Sequence, residues 1–453
     1  MAPIDMLRTI PRTCCALLLC AVLVSPGLAQ VAAPTALPAS TASAEGLAPE
    51  RLDRLHARLR QFVDDGEVAG AISLVARHGK VADLFTVGMR DREKRLPMTR
   101  DTIVRIYSMT KIVTSVAVLM LVEDGRLRLE DPVARHLPAL GAPQVFTGGT
   151  AAAPQLAPVA QPITVRHLLT HTSGFAYGLA PSPVDDMYRD QRLLQARTAQ
   201  EFVARVARLP LVAQPGDRFY YGVNTDLLGA IVETVSGQSL GAFMKARIFD
   251  PLGMDDTGFA VPAGKRDRLA TLYQRDGTGP LTAVAALTLG PESDGQVPYP
   301  DPDGRLFHSG GGGLFSTADD YARFAQMLLN GGHLDGVRIL SRKTVATMTA
   351  DQTARVAQPA NSHTGFGLGV SVRLDHGGGA MAGSVGEFGW SGAATTYVSI
   401  DPVEQMVSIL LTQHLPFNQP GIFSVFSTMV NAAVVEPPDA SRGVVAPSRT
   451  ARP

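Results

Sequence analysis

Cysteine is almost missing from this chain: of 453 residues only Cys14, Cys15 and Cys20 are cysteines, all near the start. If that opening segment is removed, disulfides, thiol nucleophiles and thiolate metal sites are excluded together. Surplus charge is missing too, since 41 basic residues balance 41 acidic ones. No net field draws the protein to nucleic acid or to an anionic membrane, so the expected partner is a small molecule and not a polynucleotide. The apolar run from Cys14 to Val24 falls short of the roughly 18 residues a membrane span needs, so no stable membrane anchor is expected. No fixed-period repeat is visible.

What is present begins with export. Arg8 and Arg12 precede the apolar run, and Ser25-Pro26-Gly27-Leu28-Ala29 supplies the small residues a signal peptidase reads. The expectation is a signal peptide over 1–29, cleaved after Ala29, and a periplasmic or secreted product. Lipidation at Cys20 fits poorly, because Leu19 is not the small residue expected before a lipidated cysteine. Residues 30–46, rich in Ala, Pro, Ser and Thr, read as a flexible linker, and 436–453, with four prolines, as a flexible tail. The folded domain is expected over 47–435.

Within it, Leu52, Leu55, Leu59, Phe62 and Val63 recur at helical spacing and predict an amphipathic helix ending near Gly66. Ala71–Ala76 and Val81–Val87 predict two strands around a His78-Gly79 turn. Near the other end Phe366–Val372, Thr396–Ile400 and Met406–Leu411 predict strands, and Ile422–Val434 a closing helix. Strands at both ends with helix-rich sequence between them predict an α/β (α+β) fold, an antiparallel sheet assembled from both termini and flanked by helices, with a mainly helical second lobe.

The most informative stretch is Ile106–Val122, IYSMTKIVTSVAVLMLV, apolar nearly all round with one charge, Lys111. Such a helix belongs in a core, where lysine is almost never found without a partner. Ser108, three residues earlier, shares its face and supplies one. The chemistry wants this pair: a serine hydroxyl is a weak nucleophile until a base takes its proton, and desolvation disfavours an ammonium and frees an amine to be that base. A serine at a helix N-terminus also places developing negative charge at the positive end of the helix dipole.

With these residues in hand a family resemblance appears. Ser-Met-Thr-Lys, preceded by TIVRIY and followed by EDGRLRLEDPVARHLP, resembles the serine β-lactamase/penicillin-binding-protein superfamily, above all class C β-lactamases and family VIII carboxylesterases. ITVRHLLTHTSGF (163–175), PGDRFYYGVNTDLLG (215–229), IFDPLGMDDTGF (248–259) and GGGGLFSTADDYARFAQMLLNGG (310–332) are similar to the same family in the same order. The resemblance covers about Leu47–Val435 and implies a β-lactamase/transpeptidase-like fold, an acyl-enzyme mechanism and no cofactor. It implies Ser108, Lys111 and Tyr221 as catalytic residues, and the backbone amides of Ser108 and Ala393 as the oxyanion hole. It matches Trp390-Ser391-Gly392 to the Lys-Thr-Gly of β-lactamases, in the Trp-x-Gly form of family VIII esterases. Val223 stands where many members carry asparagine and Asn224 follows one residue later, so Trp390, Ser391, Gly392 and Asn224 are the implied substrate contacts. Tryptophan in place of lysine removes the cation that would pair with a β-lactam carboxylate and turns selectivity toward uncharged esters. The expected function is a serine hydrolase working through an acyl-enzyme, a carboxylesterase on small esters, with β-lactam or D-amino-acid peptide hydrolysis as the alternative; the expected partner is a small-molecule ester or amide.

Three rivals remain to be weighed. His376-Gly377-Gly378-Gly379 and Ala382-Gly383-Ser384-Val385-Gly386 imitate the oxyanion loop and nucleophile elbow of α/β-hydrolases, but they are nearly adjacent and lack a βαβ context, so Ser384 is expected to be a decoy in a flexible loop. His167 and His171 have the spacing of a zinc pair without the intervening glutamate or a third ligand, and no metal is expected. A non-catalytic binding protein on the same scaffold would be signalled by loss of Ser108, Lys111 or Tyr221, and all three are retained.

Overall fold

The computed structural model describes residues 35–284, 299–354, 356, 363–376 and 382–436. The expected signal peptide and all of the expected tail beyond Glu436 lie outside the described residues. The central element is an eight-stranded antiparallel sheet drawn from both ends of the chain. From the beginning come β1 (Gly70–Arg77), β2 (Lys80–Asp91) and β3 (Leu96–Pro97). From the end come β4 (Thr364–Phe366), β5 (Ser371–Arg373), β6 (Phe388–Gly392), β7 (Thr396–Asp401) and β8 (Met406–Leu411). Their spatial order is β4-β5-β6-β7-β8-β1-β2-β3, closed at the middle by the pairing of Ile72 with Leu411 through Arg77 with Met406.

Every residue of β1 and β8 is buried, which explains why both read as unbroken apolar runs and not as alternating ones. Ala71, Val75, Met406 and Leu410 face a core under helices α1 (Pro49–Asp64) and α5 (Ile422–Ala433). Ile72, Leu74, Ala76, Val407, Ile409 and Leu411 face the larger core shared with the helical part of the chain. Through that second core run α2 (Thr110–Glu123), α3 (Asn224–Ser236) and α4 (Ala318–Leu329). Twelve consecutive residues of α2, Thr110 to Leu121, are buried.

Three expectations need correction. The single strand expected over Phe366–Val372 is two strands around a tight turn, closed by a bond from the Gly367 amide to the Val370 carbonyl. Gly369 permits the turn: its φ is +89°, and a Cβ there would lie 1.9 Å from Ser115 Oγ of α2. The helix expected from Ile106 starts later, after a 3-10 turn over Tyr107–Met109 that holds Ser108. The linker expected to be flexible through Gly46 is fixed in its described part: the Ser40 amide bonds the Val81 carbonyl, and a 3-10 turn spans Ser43–Glu45.

Composition misled there because one acidic side chain organises the segment. The Glu45 carboxylate, 2% exposed, receives Ser40 Oγ at 2.7 Å, Lys80 Nζ at 2.9 Å and His78 Nδ1 at 2.9 Å. Beside it the buried Arg77 guanidinium donates to the carbonyls of Glu45 and Glu436 at 2.9 Å each and of Glu404 at 3.0 Å, tying both ends of the domain to β1. Burial alone would push the Glu45 carboxyl up, but the hydrogen bonds from Lys80, Ser40 and His78 overrule it and hold the group at about 2, against an ordinary 4.5. A depressed folded value means that Glu45 contributes its stability above pH 4.5 and loses it as pH falls through about 2. Glu45→Gln is therefore expected to lower unfolding free energy at pH 7 by about 2 to 3 kcal/mol. In denaturant titrations the gap between the two proteins should shrink progressively below pH 4; a gap independent of pH would contradict the assignment.

Candidate active site

Ser108 sits in the 3-10 turn that leads into α2, half-buried, and Tyr107 before it holds a positive φ of 43°. For a bulky residue that left-handed conformation is strained, and it persists because Tyr107 is packed in the core at 2% exposure. At the second residue of the helix, Lys111 is 1% exposed. Its Nζ lies 3.2 Å from Ser108 Oγ and donates to the carbonyl of Gly311 at 2.6 Å.

Gly311 belongs to the run Gly310–Gly313, whose small size lets backbone press against α2. A Cβ on Gly310 would fall 2.5 Å from the Thr225 carbonyl and 2.9 Å from Thr114 Cγ2. Thr114 Oγ1 donates to the Gly310 carbonyl at 2.8 Å, and the Leu314 amide donates to Thr110 Oγ1 at 3.1 Å. The carbonyl that holds the amine is thereby anchored to the helix that carries it.

On the opposite side of the serine, Tyr221 OH lies 2.8 Å from Ser108 Oγ. The phenol ring is stacked between His171, centroids 4.9 Å apart, and Tyr177 at 5.7 Å. Lys111 Nζ stands over the Tyr221 and Tyr177 rings at 4.7 and 5.2 Å, where the ring quadrupoles favour a cation. Trp390, half-buried on β6, turns its indole N–H toward Tyr221 OH at 3.5 Å and meets Phe366 edge-on at 5.2 Å. Ser108, Lys111, Tyr221 and Trp390 are thus one connected group.

β6 reaches this group along a free edge. Its pairing with β5 stops at Gly389, so Trp390, Ser391 and Gly392 are bonded on the β7 side only. Gly392 lies against the turn before Ser108: a Cβ would be 2.2 Å from the Ile106 carbonyl and 2.3 Å from Thr396 Oγ1, which itself donates to that carbonyl at 3.2 Å. This close approach sets the backbone of Ala393, half-buried at the strand's end, beside the turn that carries the Ser108 amide.

Other expected site residues are not gathered here. Asn224 is fully buried, and its amide is spent inside the protein: Nδ2 donates to His171 Nδ1 at 2.8 Å, and Oδ1 accepts from Ser173 Oγ. As a substrate contact it is corrected to a brace for the ring that stacks on Tyr221. Ser391 shares a sheet face with its cross-strand partner Tyr397, which packs on Phe423 of α5, and its hydroxyl does not bond Ser108, Lys111 or Tyr221. Ser384 enters a strand, not the helix an elbow requires, and the Glu387 amide closes a turn on its carbonyl; Gly377–Gly379 lie outside the described residues. His167 caps the helix Val165–Leu169 through Thr164, whereas His171 is held neutral, well below its ordinary range, by burial and then by the charge of Lys111.

One residue was missed altogether. Asp226, on the first turn of α3, is a buried carboxylate whose Oδ1 accepts from the Gly311 amide at 3.0 Å and from Ser309 Oγ. Its only sequence signal was an acidic residue at the head of the apolar run Leu227–Val232.

Comparison with known proteins places the chain in a family. A family model described as Beta-lactamase matches residues 55–423. An uncharacterised protein of Mycobacterium tuberculosis is 38% identical over 379 residues, covering 81% of this chain and 90% of its own. The esterase EstB of Burkholderia gladioli is 32% identical over 379 residues, covering 79% and 89%. Among solved structures, EstCE1, a hydrolase with promiscuous acyltransferase activity, superposes with a TM-score of 0.73 at 28% identity over 87% of this chain and 100% of its own.

The packing of Gly392 yields a direct test. Gly392→Ala forces its Cβ into the Ile106 carbonyl 2.2 Å away, and a displacement on the ångström scale between reacting groups costs about 100-fold in rate. The variant is expected to lose at least about that factor in kcat/KM on an ester substrate; an unchanged kcat/KM would show that this approach does not shape the site.

Proposed function

The chain belongs to the Beta-lactamase family and is a serine hydrolase, and from that premise we propose that it is an exported carboxylesterase that cleaves small esters through an acyl-enzyme. The observation that carries the proposal is the position of Ser108 Oγ, 3.2 Å from Lys111 Nζ and 2.8 Å from Tyr221 OH, beside an indole and not a cation.

In this reading Ser108 Oγ attacks the ester carbonyl while its proton passes to Lys111, with Tyr221 as the second proton carrier. The amides of Ser108 and Ala393 hold the oxyanion, at a few kcal/mol each. Collapse of the tetrahedral adduct expels the alcohol, which takes its proton from Tyr221, and water then releases the acid from the serine. The tyrosine suits this exchange because stacking between His171 and Tyr177 fixes its ring while leaving its hydroxyl at the serine.

Substrate preference follows from β6. Trp390 supplies apolar area and one N–H donor where a β-lactam carboxylate would need a cation. The esterase EstB at 32% identity supports the same assignment. Export rests on the charged, apolar and small-residue order of the first 29 residues.

Purified protein should hydrolyse short-chain nitrophenyl esters with a kcat/KM orders of magnitude above that for a chromogenic cephalosporin. The reverse ranking would make the chain a β-lactamase and overturn the esterase reading.

A further inference from the structure

Asp226 is costly where it stands. It is 1% exposed, it sits on the first turn of a helix that is otherwise core-facing, and one of its two carboxylate oxygens, Oδ2, has no hydrogen-bond partner among the described residues. Burying a carboxylate with half its acceptors unused is destabilising unless the charge answers another charge.

The surroundings identify that charge. The groups that face Asp226 are Lys111 from α2, the phenol of Tyr177 from the loop after the helix Val165–Leu169, and the phenol of Tyr299 and hydroxyl of Ser309 from the segment that leads into the glycine run. Tyr177 and Tyr299 are both pushed well above their ordinary range, by burial first and by Asp226 second, so they stay neutral. His171, the other titratable group beside Lys111, is held neutral as described above. Burial pushes the Asp226 carboxyl up, and Lys111, Ser309 and the Gly311 amide pull it back toward the charged form without cancelling the rise. The pocket therefore sets one amine, Lys111, against one carboxylate, Asp226.

Gly311 joins them mechanically. Its amide is held by Asp226 Oδ1 at 3.0 Å and its carbonyl receives Lys111 Nζ at 2.6 Å. It must be glycine, since a Cβ would lie 2.3 Å from Asp226 Oδ2. A carboxylate pressed against the Cα of the residue whose carbonyl carries the amine fixes that carbonyl from behind.

Building on the reading of Lys111 as the base for Ser108, we propose that Asp226 is its positioning residue: through the Gly311 amide it holds the carbonyl that aims the amine, and its negative charge retains the proton that the amine takes from the serine. The proton moves from Ser108 Oγ to Lys111 Nζ as the ester carbonyl is attacked, and it leaves Lys111 for the departing alcohol by way of Tyr221. Asp226 exchanges no proton in this sequence.

The test is the pH dependence of kcat/KM for a nitrophenyl ester in Asp226→Asn, which keeps the shape and removes the charge. Without its counter-charge the amine gives up its proton more readily, so the acid limb should move to lower pH by about one unit, the effect of one charge several ångströms away in a protein interior. The rate on the plateau should also fall, because the amine then accepts a proton less strongly. Ser309→Ala, which takes one donor from the same carboxylate, should move the limb in the same direction by less, and it serves in place of Asp226→Asn if the latter does not fold. Fluorophosphonate labelling separates this proposal from the reading beneath it. Labelling retained in Asp226→Asn and lost in Ser108→Ala, with an acid limb that does not move, would overturn the role of Asp226 alone. Labelling retained in Ser108→Ala would overturn the serine itself.

Discussion

A lysine amine taken out of water must find hydrogen-bond acceptors inside the protein, and the way this chain supplies them to Lys111 governs the rest of the structure. One acceptor is the Gly311 carbonyl and the other is the Ser108 hydroxyl oxygen. The first demands that a loop lie close against α2, which Gly310 permits because a Cβ there would meet Thr114. The second demands that the chain turn sharply before the helix, which Tyr107 accomplishes at a positive φ. Desolvation that would be a liability in a surface lysine is here what brings amine and hydroxyl together.

The sheet serves the same end from the other side. Because β6 runs past β5, a bare strand edge meets the turn at Ser108, and the missing side chain of Gly392 allows the two backbones to touch. The fold thus delivers a side-chain pair from the helical part and a backbone edge from the sheet to one place. Covering the sheet with helices on both faces keeps that edge rigid: α1 and α5 pack on one face, and α2 and α4 lie in the core on the other.

Much of this was legible before any coordinates. The all-apolar helix with a single lysine announced both burial and the Ser108 partner, because the side-chain spacing of a helix is fixed locally. The four adjacent central strands β7, β8, β1 and β2 and the two helices under the sheet were legible for the same reason, since period and length determine them. What failed depended on long-range contacts. A linker rich in Ala and Pro became ordered because Glu45 found Ser40, His78 and Lys80, and composition carries no trace of such a meeting. Asn224 looked like a substrate contact by its place after Tyr221, but one residue of displacement turned its amide inward to His171. Asp226 was invisible because its meaning lies in Gly311, 85 residues further on.

Acylation of Ser108 Oγ is the step on which the whole mechanism depends. The most direct measurement is to quench the enzyme during turnover of a short-chain ester and map the acyl group by peptide mass spectrometry. The acyl group is expected on the peptide that carries Ser108. Turnover with the acyl group on the Ser384 peptide, or with none on the protein at all, would contradict it.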